Sequence, residues 1–182
     1  MSLPLSPGEW ILDPVHSNVA FAVRHLAIST LRGRFGAVNA TLTVGEDLAG
    51  SSLRAEVDLS SVDTGNPDRD GHLKSTDFFS VETKPKMTFE SSTIDDLGDN
   101  RYRLTGALSL NGTSGTETLE ARFFGVEKNP LDGSTRAGFE AVGRLDRTDY
   151  GLMWNVPMES GQVMVANDID MTLNAQLVGP EA

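Results

Sequence analysis

The feature that most constrains the fold is a long stretch near the C-terminus in which apolar and polar residues alternate. From Val163 to Leu177 every odd-numbered residue except Asn167 is apolar, and from Asp168 onward every even-numbered residue is polar. Successive side chains of a β-strand point to opposite faces, so this period of two predicts a strand with one apolar and one solvated face. At about 3.3 Å per residue the stretch would span roughly 50 Å, longer than an ordinary strand. Such a strand favours a tall, tilted and twisted barrel.

Shorter segments with the same alternation occur along the rest of the chain. They lie at residues 9–12, 15–25, 38–44, 53–59, 87–89, 102–110, 119–123 and 137–145. Leu26–Leu31 is interpreted as a connector, and Asp149–Gly161 as an irregular segment. About eight strands without a repeating strand–helix–strand order predict an all-β fold, either a barrel or a sandwich.

One short helix is predicted to interrupt the strands. Asn66 is a favourable N-cap, and Pro67 suits the first helical position because its missing N–H would have no partner there. Asp68 complements the positive end of the helix dipole, and Lys74 complements the negative end. The sequence therefore predicts a helix over Pro67–Lys74, followed by a turn that carries Phe78 and Phe79.

Composition limits the classes of function. The chain has 182 residues, a formal net charge of −11 and no cysteine. This size suits one domain, which we place at residues 9–182 after a flexible N-terminal arm at residues 1–8. The negative charge disfavours nucleic acid and anionic membrane surfaces as partners of the chain as a whole. The sequence shows neither a secretion signal nor an apolar run of 18 residues, so we expect a cytoplasmic protein without stable membrane insertion.

The titratable residues do not form a recognisable catalytic or metal-binding motif. His16, His25 and His72 lack the close spacing of a local metal pair, so we expect neither a metal nor another cofactor. Asp70 and His72 lie two positions apart on the predicted helix and point about 200° apart, so they cannot act as an acid–base pair by themselves. The enzyme alternative is an isomerase or hydrolase for an apolar substrate that combines His25 or His72 with Asp70.

The apolar strand faces leave two possibilities for the interior. An eight-stranded barrel is about wide enough to hold one small apolar ligand, whereas a solid core would leave no space for one. Either arrangement would produce the same alternation. The pattern alone therefore leaves open whether the fold is a ligand-binding barrel or a β-module without a ligand.

Several ordered motifs resemble the YceI-like family of lipocalin-like, polyisoprenoid-binding bacterial proteins. The N-terminal part contains W-I-L-D-P-V-H-S at residues 10–17, then S-V-D-T at 61–64 and D-x-H-L-x-S-x-D-F-F at 70–79. P-K-M-T-F follows at 85–89, then G-x-L-S-L-x-G at 106–112 and R-x-D-Y-G at 147–151. In the family the segment at 106–114 is usually rich in threonine, and here it reads G-A-L-S-L-N-G-T-S.

The resemblance implies an extended eight-stranded antiparallel, lipocalin-like barrel with a short helical insertion. It also implies non-catalytic binding of a long-chain isoprenoid or quinone-like lipid, and a possible homodimer. The residues expected to form the tunnel wall are Phe21, Val23, Phe89, Leu104, Leu108, Phe123, Phe139, Met171 and Leu173. Those expected to close one end are Phe78, Phe79 and Trp154, and the candidates for a lipid head group are Arg24, His25, His72, Arg147 and Asn167.

Overall fold

The computed structural model describes residues 2–180. Within this range an antiparallel barrel closes through eight strand positions, which confirms the predicted all-β barrel and excludes the sandwich. The elements in chain order are β1 (Gly8–Leu12), β2 (Asn18–His25), β3 (Ser29–Phe35), β4 (Val38–Val44), β5 (Ser52–Asp58), β6 (Val62–Asp63), α1 (Pro67–Lys74), β7 (Lys86–Gly98), β8 (Arg101–Leu110), β9 (Thr113–Lys128), β10 (Thr135–Asp146) and β11 (Val165–Val178).

Two of the eight barrel positions are each shared by two consecutive strands. β11 pairs with β2 between Val165 and Asn174, and its last residues, Leu177 and Val178, pair with β1. β1 and β2 therefore share the position beside β11. At the next position β3 pairs with β2 and β4 pairs with β1, so β3 and β4 share that position. β5, β7, β8, β9 and β10 complete the barrel in this order between β4 and β11. The long final strand thus closes the barrel, because it pairs with β10 on one side and with both β2 and β1 on the other.

The final strand is shorter than its alternation suggests. It begins at Val165 rather than Val163, and its pairing with β2 shifts between Val165 and Ile169. Two extra residues of β11 form this bulge, so odd-numbered residues face the interior again from Ile169 onward. Asn167 lies in the bulge and is exposed.

The predicted connector after β2 is also shorter than expected. β3 begins at Ser29, so the turn contains only residues 26–28. Leu26 and Ala27 have φ values of 53° and 60°, and this left-handed backbone allows the chain to reverse over three residues. The β2–β3 hairpin consequently extends to the end of the barrel.

The helix prediction is confirmed over Pro67–Lys74. The Asn66 side-chain oxygen accepts a hydrogen bond of 3.0 Å from the backbone N–H of Arg69. Leu73 packs against the core and borders the barrel interior, so α1 lies against this end of the barrel. Across residues 2–180, no helix has the length and apolar character needed to cross a bilayer.

The N-terminal arm is packed against the barrel at the opposite end. Leu3 is only 5% exposed and belongs to the core, and Gly8 is already part of β1. The indole N–H of Trp10 donates a 3.0 Å hydrogen bond to the carbonyl of Ser6. The expectation of a flexible arm therefore differs from the structure, because burial of apolar side chains holds the arm in place.

An ion-pair cluster fastens the end of β1 to β10. The Asp13 carboxylate accepts a 2.9 Å hydrogen bond from His16 and a charged hydrogen bond from Arg136. The hydrogen bond from His16 contributes most, followed by those from Val15 and Arg136, and together they lower the pKa of Asp13 to about 2. The ionised form of Asp13 is therefore the form that stabilises the folded chain.

Candidate functional site

The barrel contains a row of cavities along its length. Their volumes are about 50, 60, 90 and 210 Å³ in spatial order. Neighbouring cavities share wall residues, namely Leu173 between the first two, Met171 between the second and third, and Phe21 between the third and fourth. We call this row the interior row. Because side chains do not fill the barrel completely, the interior has space for a ligand.

The wall of the interior row is formed largely by the residues that alternation placed on the inner face. The predicted wall residues that border it are Phe21, Val23, Phe89, Leu104, Leu108, Phe139, Met171 and Leu173. Phe123 is buried and packs against Phe139, with ring centroids 5.1 Å apart. These side chains share the inner face because their strands are in antiparallel register around the barrel.

One end of the interior row is narrow and apolar. The 50 Å³ cavity lies at this end and is bordered by Leu3 from the N-terminal arm, together with Ile94 and Tyr102. Sequence reasoning missed Leu3, because a proline-rich terminal segment carries no periodic signal. The docked arm makes this the closed end of the row.

The other end of the interior row is wider and carries polar side chains. The 210 Å³ cavity is bordered by His25, Arg32, Thr64, Arg69 and His72, besides apolar residues that include Trp154 and form most of its wall. We call this cavity the mouth. No aspartate or glutamate of residues 2–180 is among its lining residues. The row therefore stays largely apolar and gains polar, partly cationic side chains at the mouth.

Aromatic rings pack together where the mouth meets the rest of the row. The His72 ring lies 5.1 Å from Phe78 and 4.7 Å from Trp154, and the last two are 5.3 Å apart. His72 Nε2 also lies 2.9 Å from a carboxylate oxygen of Asp77. Phe79 borders the neighbouring cavity and packs against Phe35 at 5.8 Å. The structure thus brings together Phe78 and Trp154, two of the three residues predicted to close the tunnel, with His72, whereas Phe79 packs against Phe35 instead.

Arg147 does not provide a free cation at the mouth. Its side chain is buried, and its Nε donates to the carbonyl of Ala166 at 3.0 Å while Nη1 donates to that of Trp154 at 3.0 Å. Further bonds go to the carbonyls of Leu152 and Val165. Burial lowers the pKa of Arg147. The head-group prediction for this residue is corrected: it satisfies backbone carbonyls in the β11 bulge and in the loop before β11.

Arg147 borders the 90 Å³ cavity, whereas Arg24 and Asn167 lie away from the interior row. Arg24 is exposed on the outer face of β2, between the inward-facing Val23 and His25. Asn167 is exposed because the bulge turns that part of β11 outward. Of the predicted head-group residues, His25 and His72 are the ones that border the mouth.

A hydrogen-bond cluster positions α1 at the mouth. Asp70 accepts hydrogen bonds from the backbone N–H of Thr64 at 2.9 Å and from its hydroxyl at 2.5 Å. Arg69 donates to the Thr64 hydroxyl and carbonyl, each at 2.8 Å. Asp70 is thus bound to Thr64, while His72, which borders the mouth, is bound to Asp77, so the carboxylate beside this histidine is Asp77 and not the Asp70 of the enzyme alternative.

A carboxylate and a tyrosine inside the wall were missed by sequence reasoning. Glu117 borders the 60 Å³ cavity. Its carboxylate accepts a 2.7 Å hydrogen bond from the hydroxyl of the buried Tyr150. Burial is the main reason that the pKa of Tyr150 is raised, so the hydroxyl stays protonated. A Cβ at Gly115 would lie 2.8 Å from this hydroxyl, so glycine leaves the space. The sequence signal that could have revealed Glu117 is a charged residue at an odd-numbered, inward-facing position of β9.

The comparison with known proteins identifies the family. The YceI-like domain matches residues 10–177. The chain belongs to the YceI-like family. This protein is 36% identical over 165 residues to a UPF0312 protein of Staphylococcus epidermidis, which covers 90% of this chain and 94% of the relative. The resemblance found from the motifs is therefore confirmed.

Solved structures with the same fold support the barrel architecture. BcnA of Burkholderia cenocepacia superposes with a TM-score of 0.77 at 21% identity, over 91% of this chain and 98% of BcnA. A polyisoprenoid binding domain from Saccharophagus degradans superposes with a TM-score of 0.65 at 17% identity, over 96% of this chain and all of that domain. At these identities the similarity establishes a shared YceI-like barrel fold.

Proposed function

We propose that this YceI-like protein binds a long-chain isoprenoid or a similar amphiphilic lipid inside the barrel, without catalysing a reaction on it. The observation that carries the proposal is the interior row, which is apolar over most of its length, apart from Glu117 and Arg147, and gains polar side chains at the mouth. An amphiphile has the same distribution of properties. A solved protein with the same fold is a polyisoprenoid binding domain, which supports the same class of ligand.

The apolar part of the row supplies affinity for the chain of the ligand. Burial of apolar surface contributes about 25 cal/mol per Å², so a chain enclosed along its length needs few polar contacts. The row is narrow between its second and third cavities, where Met87 and Met171 border both. Methionine side chains are flexible and adapt to irregular spaces, so these two residues can move aside for a thin chain.

The mouth supplies donors for the head group. His25 and His72 are the sequence-predicted candidates that border it, and Arg32 and Arg69 add guanidinium groups. Arg69 uses Nε and Nη2 for Thr64, which orients the guanidinium at the edge of the cavity. A polar or anionic head group placed there would remain close to solvent while its chain lies in the barrel.

Mass spectrometry of an organic extract of the purified protein tests this proposal. We expect a long-chain lipid in near-equimolar amount, and we expect delipidated protein to take up added polyprenyl phosphate or polyprenyl alcohol. An extract without lipid, combined with no uptake of either probe, would contradict the proposal. Turnover of the bound lipid to a new product would instead support an enzyme.

A further inference from the structure

We propose that the mouth end of the barrel docks on the surface of a phospholipid bilayer, with a rim of exposed apolar side chains entering the interfacial region. The rim consists of Leu26, Ile28, Met153, Val156 and Val163. The proposal deepens the proposed function, on which it rests for the identity of the cargo. Docking itself can be measured independently of the cargo.

The rim residues are unusually exposed for large apolar side chains. Ile28 is 81% exposed and Met153 is 66% exposed, and Val163 is 45% exposed. They come from two segments, the β2–β3 turn and the loop between Tyr150 and β11. The backbone N–H of Leu26 donates a 2.7 Å hydrogen bond to the carbonyl of Met164, which holds the two segments side by side. Clustered exposed apolar residues of this kind mark interaction sites.

The rim adjoins the mouth of the interior row. Leu26 follows His25, Met153 precedes Trp154, and Val163 precedes Met164. His25, Trp154 and Met164 all border the mouth. A bilayer in contact with the rim would therefore lie beside the widest cavity of the row, so a lipid could pass between them without crossing bulk water.

The charges at this end are nearly balanced, although the chain as a whole has a net charge of −11. Arg32 and Arg69 border the mouth, and Arg24 is exposed on the adjoining outer face of β2. Asp68 and Asp70 on α1 and Glu159 in the loop before β11 offset them, and Asp77 is paired with His72. We therefore expect the apolar rim to provide the attachment and salt to change it little.

Tryptophan fluorescence provides a direct measurement of docking. Trp154 lies at the mouth, whereas Trp10 is 1% exposed near the closed end. On addition of phosphatidylcholine vesicles containing a minor fraction of phosphatidylglycerol, we expect a blue shift of the emission. Trp154→Phe retains Trp10 as an internal control and should abolish the shift. Vesicles of phosphatidylcholine alone should bind about equally well, and binding that requires phosphatidylglycerol would overturn the apolar rim as the source of attachment.

Substitution of the rim gives the decisive comparison. Ile28→Ser combined with Met153→Ser should weaken vesicle co-sedimentation at least tenfold, since both side chains are exposed and their loss leaves the core intact. Leu131→Ser is the matched control, because Leu131 is 93% exposed in the β9–β10 turn away from the mouth. It should leave vesicle binding unchanged.

Several results would overturn the docking proposal. These are the absence of vesicle binding by the unsubstituted protein, equal binding by the rim variant and the Leu131→Ser control, or a rim variant that loses a homodimer in solution instead of vesicle binding. Lipid extraction from the rim variant separates the two proposals. Retained lipid with lost vesicle binding supports both, whereas vesicle binding by a protein that never contains lipid would refute only the proposed function.

Discussion

Replacement of Ala141 by phenylalanine should shorten the space available to a bound chain. Ala141 borders both the 50 Å³ and the 60 Å³ cavities and is 7% exposed. A ring at this position would lie between the closed-end cavity and the rest of the interior row. A chain that enters from the mouth would then be excluded from the closed end, while a shorter chain would be unaffected.

The expected loss of affinity follows from the length of the excluded part. From Leu173, the β11 partner of Ala141, to Leu177 the strand advances by roughly 13 Å, or about 10 Å along the axis of a tilted barrel. Each buried methylene contributes about 0.8 kcal/mol. Exclusion of only three methylenes, fewer than an extended chain places in this length, would already cost about 2.4 kcal/mol, which corresponds to a roughly fiftyfold increase in Kd. The added ring itself should cost about 1–3 kcal/mol of stability, less where it fills cavity space.

A series of polyprenyl probes of increasing length, measured by competition binding, checks this prediction. The Ala141→Phe variant should weaken long probes about fiftyfold and leave short probes unchanged. Val142→Phe is the matched control, since Val142 is the next residue, lies on the outer face and is 45% exposed. Unchanged affinity for long probes in a folded Ala141→Phe variant would refute the assignment of the closed-end cavity to the ligand chain.

Two further predictions concern stability. Tyr150→Phe should lower the free energy of unfolding by about 1.5–3 kcal/mol, because Glu117 would lose a charge-assisted hydrogen bond. Chemical denaturation measures this loss. The buried Tyr102 provides the control, and a loss no larger than that of Tyr102→Phe would contradict the prediction. Because folding lowers the pKa of Asp13 to about 2, mainly through the hydrogen bond from His16, its contribution is present above the unfolded pKa near 4 and is lost as pH falls from there towards 2. Asp13→Asn should therefore remove about 1 kcal/mol at neutral pH, after allowance for screening by solvent, and flatten the acid limb of a Tm-against-pH profile. An unchanged acid limb would exclude Asp13 as its source.

The sequence by itself determined the elements of the fold that depend on neighbouring residues. Alternation along β11 identified the inner face from Ile169 to Leu177, because side-chain direction in a strand has a period of two. Asn66 and Pro67 located the start of α1, because capping is satisfied within one helical turn. The ordered motifs identified the family for the same reason, since each is a short local pattern.

Only the tertiary structure decided which polar side chains face the ligand space. Arg147 looked like a head-group residue, but it binds carbonyls that the β11 bulge leaves available. Arg69 gave no such signal and lies at the mouth. Leu3, from a segment without periodicity, closes the opposite end. Whether a side chain borders the interior row depends on contacts between residues far apart in the chain. A local sequence pattern cannot specify which of several arginines or leucines makes these contacts.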